Sequence, residues 1–194
     1  MGEPAASALS VRTAEDLDQL SDDALMLRLR EGCPEAFDEL VRRHQRGALQ
    51  AAFRFLGCAA EAEDAAQNAF LNIYRRRDRY QARGCFRAYL FRVVVNEARA
   101  KLRQRRRQQA TLRRLEEEPG TTAAQGVEAA GDEPLQRALS RLPVRQRAVI
   151  ALRFGADLPL QDIARALRLP LGTVKSRLFG GLQNLRREIQ GEPA

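Results

Sequence analysis

Apolar residues recur three or four positions apart along most of this chain, and no stretch sustains an alternation of apolar and polar residues. The first pattern lines one face of an α-helix; the second, which a half-buried strand needs, is missing. An all-α fold follows. With 194 residues, the chain suffices for one medium domain or two small ones. Ser21, followed by Asp22 and Asp23, opens a helix whose buried side is assigned to Leu25, Leu27 and Leu29. Pro34 starts a second, with Phe37, Leu40 and Val41 at helical spacing, continuing through Leu49, Phe53 and Leu56 to a natural stop at Gly57. A third covers about residues 61–77, with Ala66, Phe70, Ile73 and Tyr74 as its core positions. A short irregular segment, Tyr80 to Gly84, precedes a long helix from Phe86 to about Arg114.

That long helix has two unlike faces. Phe91, Val94, Ala98 and Leu102 make an apolar stripe, and Arg92, Asn96, Arg99, Arg103 and Arg106 make another on a different side. A polar helix face is ordinarily just solvated. An arginine at nearly every turn, with no acid among them, is less ordinary. Composition then changes: Glu116, Glu117, Glu118 and Pro119 lead into Gly, Thr and Ala. This reads as a flexible linker. The expected division is a tail at 1–20, a helical domain at 21–114, a linker at 115–133 and a second small helical domain at 134–190.

In the second domain, Leu135, Leu139 and Leu142 make one short helix, and Arg145 to Phe154 makes another that stops near Gly155. Leu160, Ile163, Ala164 and Leu167 then form the apolar face of a short helix, with Ala164 small enough for a close crossing. A tight turn, Arg168-Leu169-Pro170, leads into a further helix faced by Val174, Leu178, Leu182, Leu185 and Ile189. This is the pattern of a helix-turn-helix, whose second helix lies in the major groove and would present Thr173, Lys175, Ser176, Arg177 and Phe179. A plain helical hairpin without DNA contact has the same pattern.

The net charge of +8 favours polyanionic partners, although simple solubility accounts for a modest excess equally well. Of 33 basic residues, only Lys101 and Lys175 are lysines. Guanidinium groups suit bidentate phosphate and base contacts, and coding bias in a GC-rich genome yields the same skew. Cys33, Cys58 and Cys85 are odd in number and far apart, and His44 is the single histidine. No zinc site, disulfide framework or nucleophilic triad is expected from them. Glu61, Glu63 and Asp64 lack a second acidic cluster for metal-assisted hydrolysis. No enzyme activity, cofactor, metal or small-molecule substrate is therefore expected. No apolar run approaches the roughly 20 residues of a membrane span, and the start lacks the order of a signal peptide, so a cytoplasmic protein is expected.

Three stretches carry a family resemblance. Leu142-Pro143-Val144-Arg145-Gln146-Arg147, Asp162-Ile163-Ala164 and Gly172-Thr173-Val174-Lys175-Ser176-Arg177-Leu178 resemble region 4 of extracytoplasmic-function sigma factors, which reads the upstream (−35) promoter element. The segment from Ala62 to Phe70 resembles the part of region 2 that docks on RNA polymerase. Arg87 to Arg92, continuing to Asn96, resembles the part that opens the downstream (−10) element. The match runs from about Asp22 to Ile189, in the family's order.

The resemblance implies an RNA polymerase sigma factor, with core polymerase and promoter DNA as partners and an anti-sigma factor as a further one. It implies that Asp64, Gln67 and Phe70 meet a coiled coil of the largest polymerase subunit. It also implies that a flipped non-template base enters a pocket formed by the loop of Tyr80, Arg83 and Gly84 together with Asn96. Aromatic stacking and an amide reading a base edge are what an extruded base needs. Arg92, Arg99 and Arg103 would then hold the strand's phosphates. The acidic linker would thread toward the polymerase cleft, although a simple tether fits it equally. From the helix-turn-helix alone, a stand-alone repressor or activator is the competing reading; the segment resembling region 2 speaks against it. Three positions depart from the family. Arg168 stands where a glycine is usual, Gly180 and Gly181 stand where arginine and alanine are usual, and Asn68 replaces a residue that is often acidic. The glycine pair predicts a softened recognition helix, at about 1 kcal/mol each against alanine.

Overall fold

The computed structural model describes residues 17–115 and 133–190, and among them all regular structure is helical. Most of the expected tail and linker, including Glu116, Glu117 and Glu118, lies outside the described residues. In the first half, α1 is Asp22–Arg30, α2 is Glu35–Leu56 and α3 is Ala59–Arg75. A 3-10 turn at Arg77–Arg79 then leads to α4, Phe86–Leu115. The Ser21 hydroxyl caps α1 by accepting the Ala24 N–H at 3.3 Å. Gly57 ends α2 in the left-handed region, at φ 75°, its N–H bonded to the Phe53 carbonyl at 2.8 Å.

Not every apolar residue sits where simple pattern reading puts it. Helix α1 buries Leu25, Met26 and Leu29 and leaves Leu27 exposed, because residues two apart lie on different helix faces. Leu49 and Tyr74 are likewise exposed. Residues of the expected tail also pack against α2. Leu17 is buried, and the Arg43 guanidinium of α2 donates to the carbonyls of Leu17, Asp18 and Leu20 at 3.1, 2.6 and 2.7 Å.

In the second half, α5 is Glu133–Arg141, α6 is Val144–Gly155, α7 is Leu160–Leu167 and α8 is Leu171–Gln190. Arg168 turns the chain between α7 and α8 in the left-handed conformation, at φ 54° and ψ 52°. The Leu169 N–H then closes onto the Ala164 carbonyl at 2.9 Å. The glycine pair does not break α8, which runs on through both residues. Gly181 is buried where a Cβ would come within 2.9 Å of the Ile150 side chain. The packed stripe of α8 is therefore Val174, Leu178, Gly181 and Leu185, and Leu182 and Ile189 are exposed. A side chain at Gly181 would have to displace the end of the Ile150 side chain, so the glycine lets α8 pack close against α6.

The two halves share one apolar core. Phe55, Phe91 and Leu102 of the first belong to the same buried cluster as Leu152, Ile163 and Val174 of the second. Gly155 sets the separation. A Cβ there would lie 2.8 Å from the Cα and N of Ala51, so α6 and α2 meet backbone to backbone. Gly155 has an ordinary negative φ. Its role is this close approach more than the helix stop that the sequence suggested. Helix α7 packs on α4 as well, which explains why Ala166, off the expected apolar face, is fully buried.

Arg147 of α6 is 4% exposed; its guanidinium donates to the carbonyls of Phe55 at 3.1 Å, Ser140 at 3.1 Å and Leu142 at 3.4 Å, and it lies over the Phe55 ring at 5.7 Å. These carbonyls lie at or just past the C-terminal ends of α2 and α5, where peptide dipoles favour a cation. Burial, with Arg105 and Arg106 nearby, holds its pKa below the usual arginine value.

Two substitutions test this packing. Gly155→Val should cost about 1–3 kcal/mol through overpacking and push the halves apart, seen as a lower denaturation midpoint and a larger radius of gyration in X-ray scattering. Arg168→Gly should raise stability by about 1 kcal/mol by relieving the left-handed backbone, measured by urea unfolding.

Candidate nucleic-acid interface

Helix α4 carries its cations on two sides. Lys101 and Arg105, one turn apart, reach back to α3 and pair with Asp64 at 2.9 Å and Glu61 at 3.4 Å. Arg92, Asn96, Arg99 and Arg103 lie elsewhere on the helix, and among the described residues no ion pair neutralises these three arginines. Asn96 is exposed, Arg92 and Arg99 are half-buried and Arg103 is exposed. Arg92, Asn96 and Arg99 line a cleft of about 420 Å³ together with Tyr89 and Arg76. The opposite wall is Ala166, Leu167 and Arg168 of the second half. The Arg92 Nε is buried there without a hydrogen-bond partner. Burial pulls the Arg99 pKa down, and Arg177, Arg103 and Arg145 add to the effect. Arginines from both expected DNA-binding surfaces thus face one another across the two halves.

The 80–84 segment is built differently from an open stacking platform. Tyr80 is 7% exposed, and its ring lies 6.0 Å from that of Phe86 and 5.5 Å from that of Tyr89. Its hydroxyl donates to Asp23 Oδ1 at 2.7 Å. Burial, then the Asp23 carboxylate, raises its pKa, so the phenol stays protonated and keeps donating. Tyr80 is thus a wall of the loop, and its faces are already covered. Gln81, Ala82, Arg83 and Gly84 are exposed, and the Arg83 guanidinium bonds the Gln81 side chain. Gly84 is left-handed, at φ 64°. Tyr89 links this loop to the Asn96 cleft. Pattern reading missed it, although it lies seven residues before Asn96 and so on the same helix face.

On α3, Asp64 and Gln67 are exposed, whereas Phe70 is buried and packs edge-on against Phe37 at 6.3 Å. Phe70 supports this surface from beneath. The apolar residues that face outward are Leu71 and Tyr74, 48% and 37% exposed. Asp64, Gln67, Leu71 and Tyr74 follow helical spacing, a signal that could have placed Leu71 on this face and moved Tyr74 out of the expected core. On α8, Lys175, Ser176 and Phe179 are exposed, and Thr173 and Arg177 are half-buried. Phe179 is 66% exposed, and the Ser176 hydroxyl donates to the Thr173 carbonyl at 3.1 Å. This end of the helix is free on its outer side to meet a groove.

Comparison with known proteins agrees with this geometry. Residues 40–108 match the family described as Sigma-70 region 2, and residues 138–187 match Sigma-70, region 4. RNA polymerase sigma-H factor of Pseudomonas aeruginosa is 30% identical over 186 residues, spanning 90% of this chain and 96% of that protein. The ECF RNA polymerase sigma factor SigW of Bacillus subtilis is 27% identical, spanning 84% of this chain and 94% of its own length. Among solved structures, the sigma factor RpoE of Bartonella quintana, in complex with the anti-sigma factor NepR, superposes with a TM-score of 0.63. It is 21% identical and covers 81% of this chain and 98% of its own, a likeness of fold.

Proposed function

We infer the roles of three surfaces from one fact: this chain belongs to the sigma-70 family of RNA polymerase sigma factors, of the extracytoplasmic-function type. As such it binds core polymerase and directs promoter recognition, promoter opening and the start of transcription. The exposed stripe of Asp64, Gln67, Leu71 and Tyr74 docks on the polymerase, with Phe70 holding its shape from below. The Thr173 to Phe179 end of α8 reads the upstream element, with Lys175 and Arg177 on phosphates or base edges and the Phe179 ring beside a thymine methyl. The loop at 80–84 and Asn96 capture a non-template base, while Arg92, Arg99 and Arg103 hold its phosphates.

The observation that carries this reading is the placing of exposed Asn96 between Arg92 and Arg99 in one cleft, with Tyr89 leading to the loop. An amide beside unpaired guanidinium groups suits a base with its backbone. RNA synthesis itself belongs to the polymerase, and we assign no catalytic group to this chain. Among the described residues no helix is long and apolar enough to cross a membrane.

The closed packing has a consequence for activity. Asn96 is exposed but faces α7 across the cleft, so a DNA strand laid along α4 would meet α7 unless the halves part. Crowding of Arg99 with Arg145 and Arg177 favours that parting once polymerase or DNA offers a better surrounding. An anti-sigma factor, of the kind that RpoE binds, is the partner that would keep the molecule out of use.

Asn96→Ala should abolish promoter opening, followed by permanganate reactivity of the melted strand, and leave core affinity intact; opening at the full rate would remove Asn96 from the capture site. Leu71→Glu should weaken core binding by about tenfold or more, the loss expected for one buried interface anchor. Fluorescence titration against core polymerase measures it, and the intact variant should keep its helical circular dichroism.

A further inference from the structure

A single carboxylate on α1 gathers hydrogen bonds from the segment at 80–86. Asp23 lies in the first turn of α1, far from the loop in sequence. Its Oδ1 accepts the Tyr80 hydroxyl at 2.7 Å, the Arg83 N–H at 2.9 Å and the Gly84 N–H at 3.2 Å. Its Oδ2 accepts the Phe86 N–H at 3.4 Å, at the first turn of α4. Two turns further along α1, Arg30 donates to the Tyr80 carbonyl at 3.4 Å. Helix α1 thus grips the segment at both ends.

The chemistry separates Asp23 from its neighbour. Asp22 is an ordinary ion-pair partner, bonded to Arg43 at 3.2 Å and His44 at 2.8 Å. No ion pair of Asp23 occurs among those the structure shows; its hydrogen-bond partners are three backbone amides and a phenol. Amides converging on one anion fix a backbone more tightly than a side-chain pair does, because each bond constrains the chain itself. The α4 N-terminus adds its dipole to the same site. With the backbone so held, Gln81, Ala82 and Arg83 are turned outward toward solvent.

We propose that Asp23 is a positioning residue for base capture: its carboxylate folds residues 80–86 into the shape that receives the extruded base and sets how well that base is discriminated. This rests on the capture reading of the loop and Asn96. Asp23 touches no DNA; it acts through the backbone amides of Arg83, Gly84 and Phe86 and through the Tyr80 hydroxyl.

The test uses holoenzyme assembled from core polymerase and the full chain. The probes are two fluorescent single-stranded oligonucleotides carrying the non-template downstream element of a promoter it transcribes. One has the captured base and the other is abasic at that position. Wild type should prefer the base-containing strand by about tenfold, in keeping with the worth of one stacked base. Asp23→Ala should bring that ratio close to unity, with core affinity unchanged, and Asp23→Asn should restore part of it, since a carboxamide oxygen still accepts. Tyr80→Phe keeps the ring in the core and removes one donor, so a smaller loss is expected even if Asp23→Ala folds poorly. A merely structural role would lower the active fraction and leave the ratio unmoved. A wild-type ratio for Asp23→Ala and Tyr80→Phe, with Asn96→Ala losing it, would overturn the role of Asp23 and keep the capture site. No preference in the wild type itself would overturn the capture reading and this proposal with it.

Discussion

The arrangement of the molecule depends on the contact between Gly155 of α6 and Ala51 of α2. Where two backbones touch, any side chain on the glycine holds the helices apart. At this separation the apolar residues of both halves merge into one cluster, and the Arg147 guanidinium reaches the Phe55 carbonyl across the boundary. Arg87 of α4 reaches the Ala156 carbonyl at 2.7 Å, immediately beyond α6. The same closeness lays α7 against α4 and creates the cleft in which Asn96 sits. A single missing methyl group therefore stands upstream of the shared core, the polar contacts across it and the accessibility of the proposed capture site.

Electrostatics runs against that packing. Burial strips solvent from Arg147 and Arg99, and in neither case does a carboxylate make up for it. Carbonyls at helix ends accept the Arg147 charge, a partial compensation that helix dipoles provide. Acids are spent elsewhere: Asp64 and Glu61 tie α3 to α4, Glu39 holds Arg42 and Arg43, and Asp22 holds His44. The cleft holds one acid, Glu97, which accepts from the Asn72 amide, against Arg76, Arg92, Arg99 and Arg168, and so remains cationic. The packing of the two halves is thus held by apolar burial and opposed by like charges.

Much of the helical framework was legible in the residues, because caps and stops act locally. Ser21 before two acids, Gly57 after an apolar run and the Arg168 turn all stand where the structure places them. The outward stripe at Asp64 and Gln67 and the grouping of Asn96 with arginines follow from helical spacing alone. Leu27 and Leu182 were misplaced because a leucine on an exposed face looks, in sequence, like a leucine in a core. Helical spacing puts Phe70 in the core, where it lies, while the resemblance makes it and Tyr80 contact residues; both rings are packed inside, and an aromatic residue carries no sign of whether it faces a partner or its own chain. Asp23 was legible only as a first-turn acid, since its bonds to residues 80–86 close a loop that no local pattern spans.

By itself, then, the sequence determined the helices, their order and the family to which the chain belongs, since periodicity, capping and short motifs are properties of neighbouring residues. Only the tertiary structure decided what the glycines do: Gly155 lets α6 meet the α2 backbone and Gly181 makes room for the Ile150 side chain, roles that depend on what lies opposite. It alone decided that the two halves share a core, that Asn96 faces α7, and that a carboxylate on α1 shapes the loop before α4. Each of these joins residues distant along the chain, and such pairings exist only once apolar burial has brought the helices together.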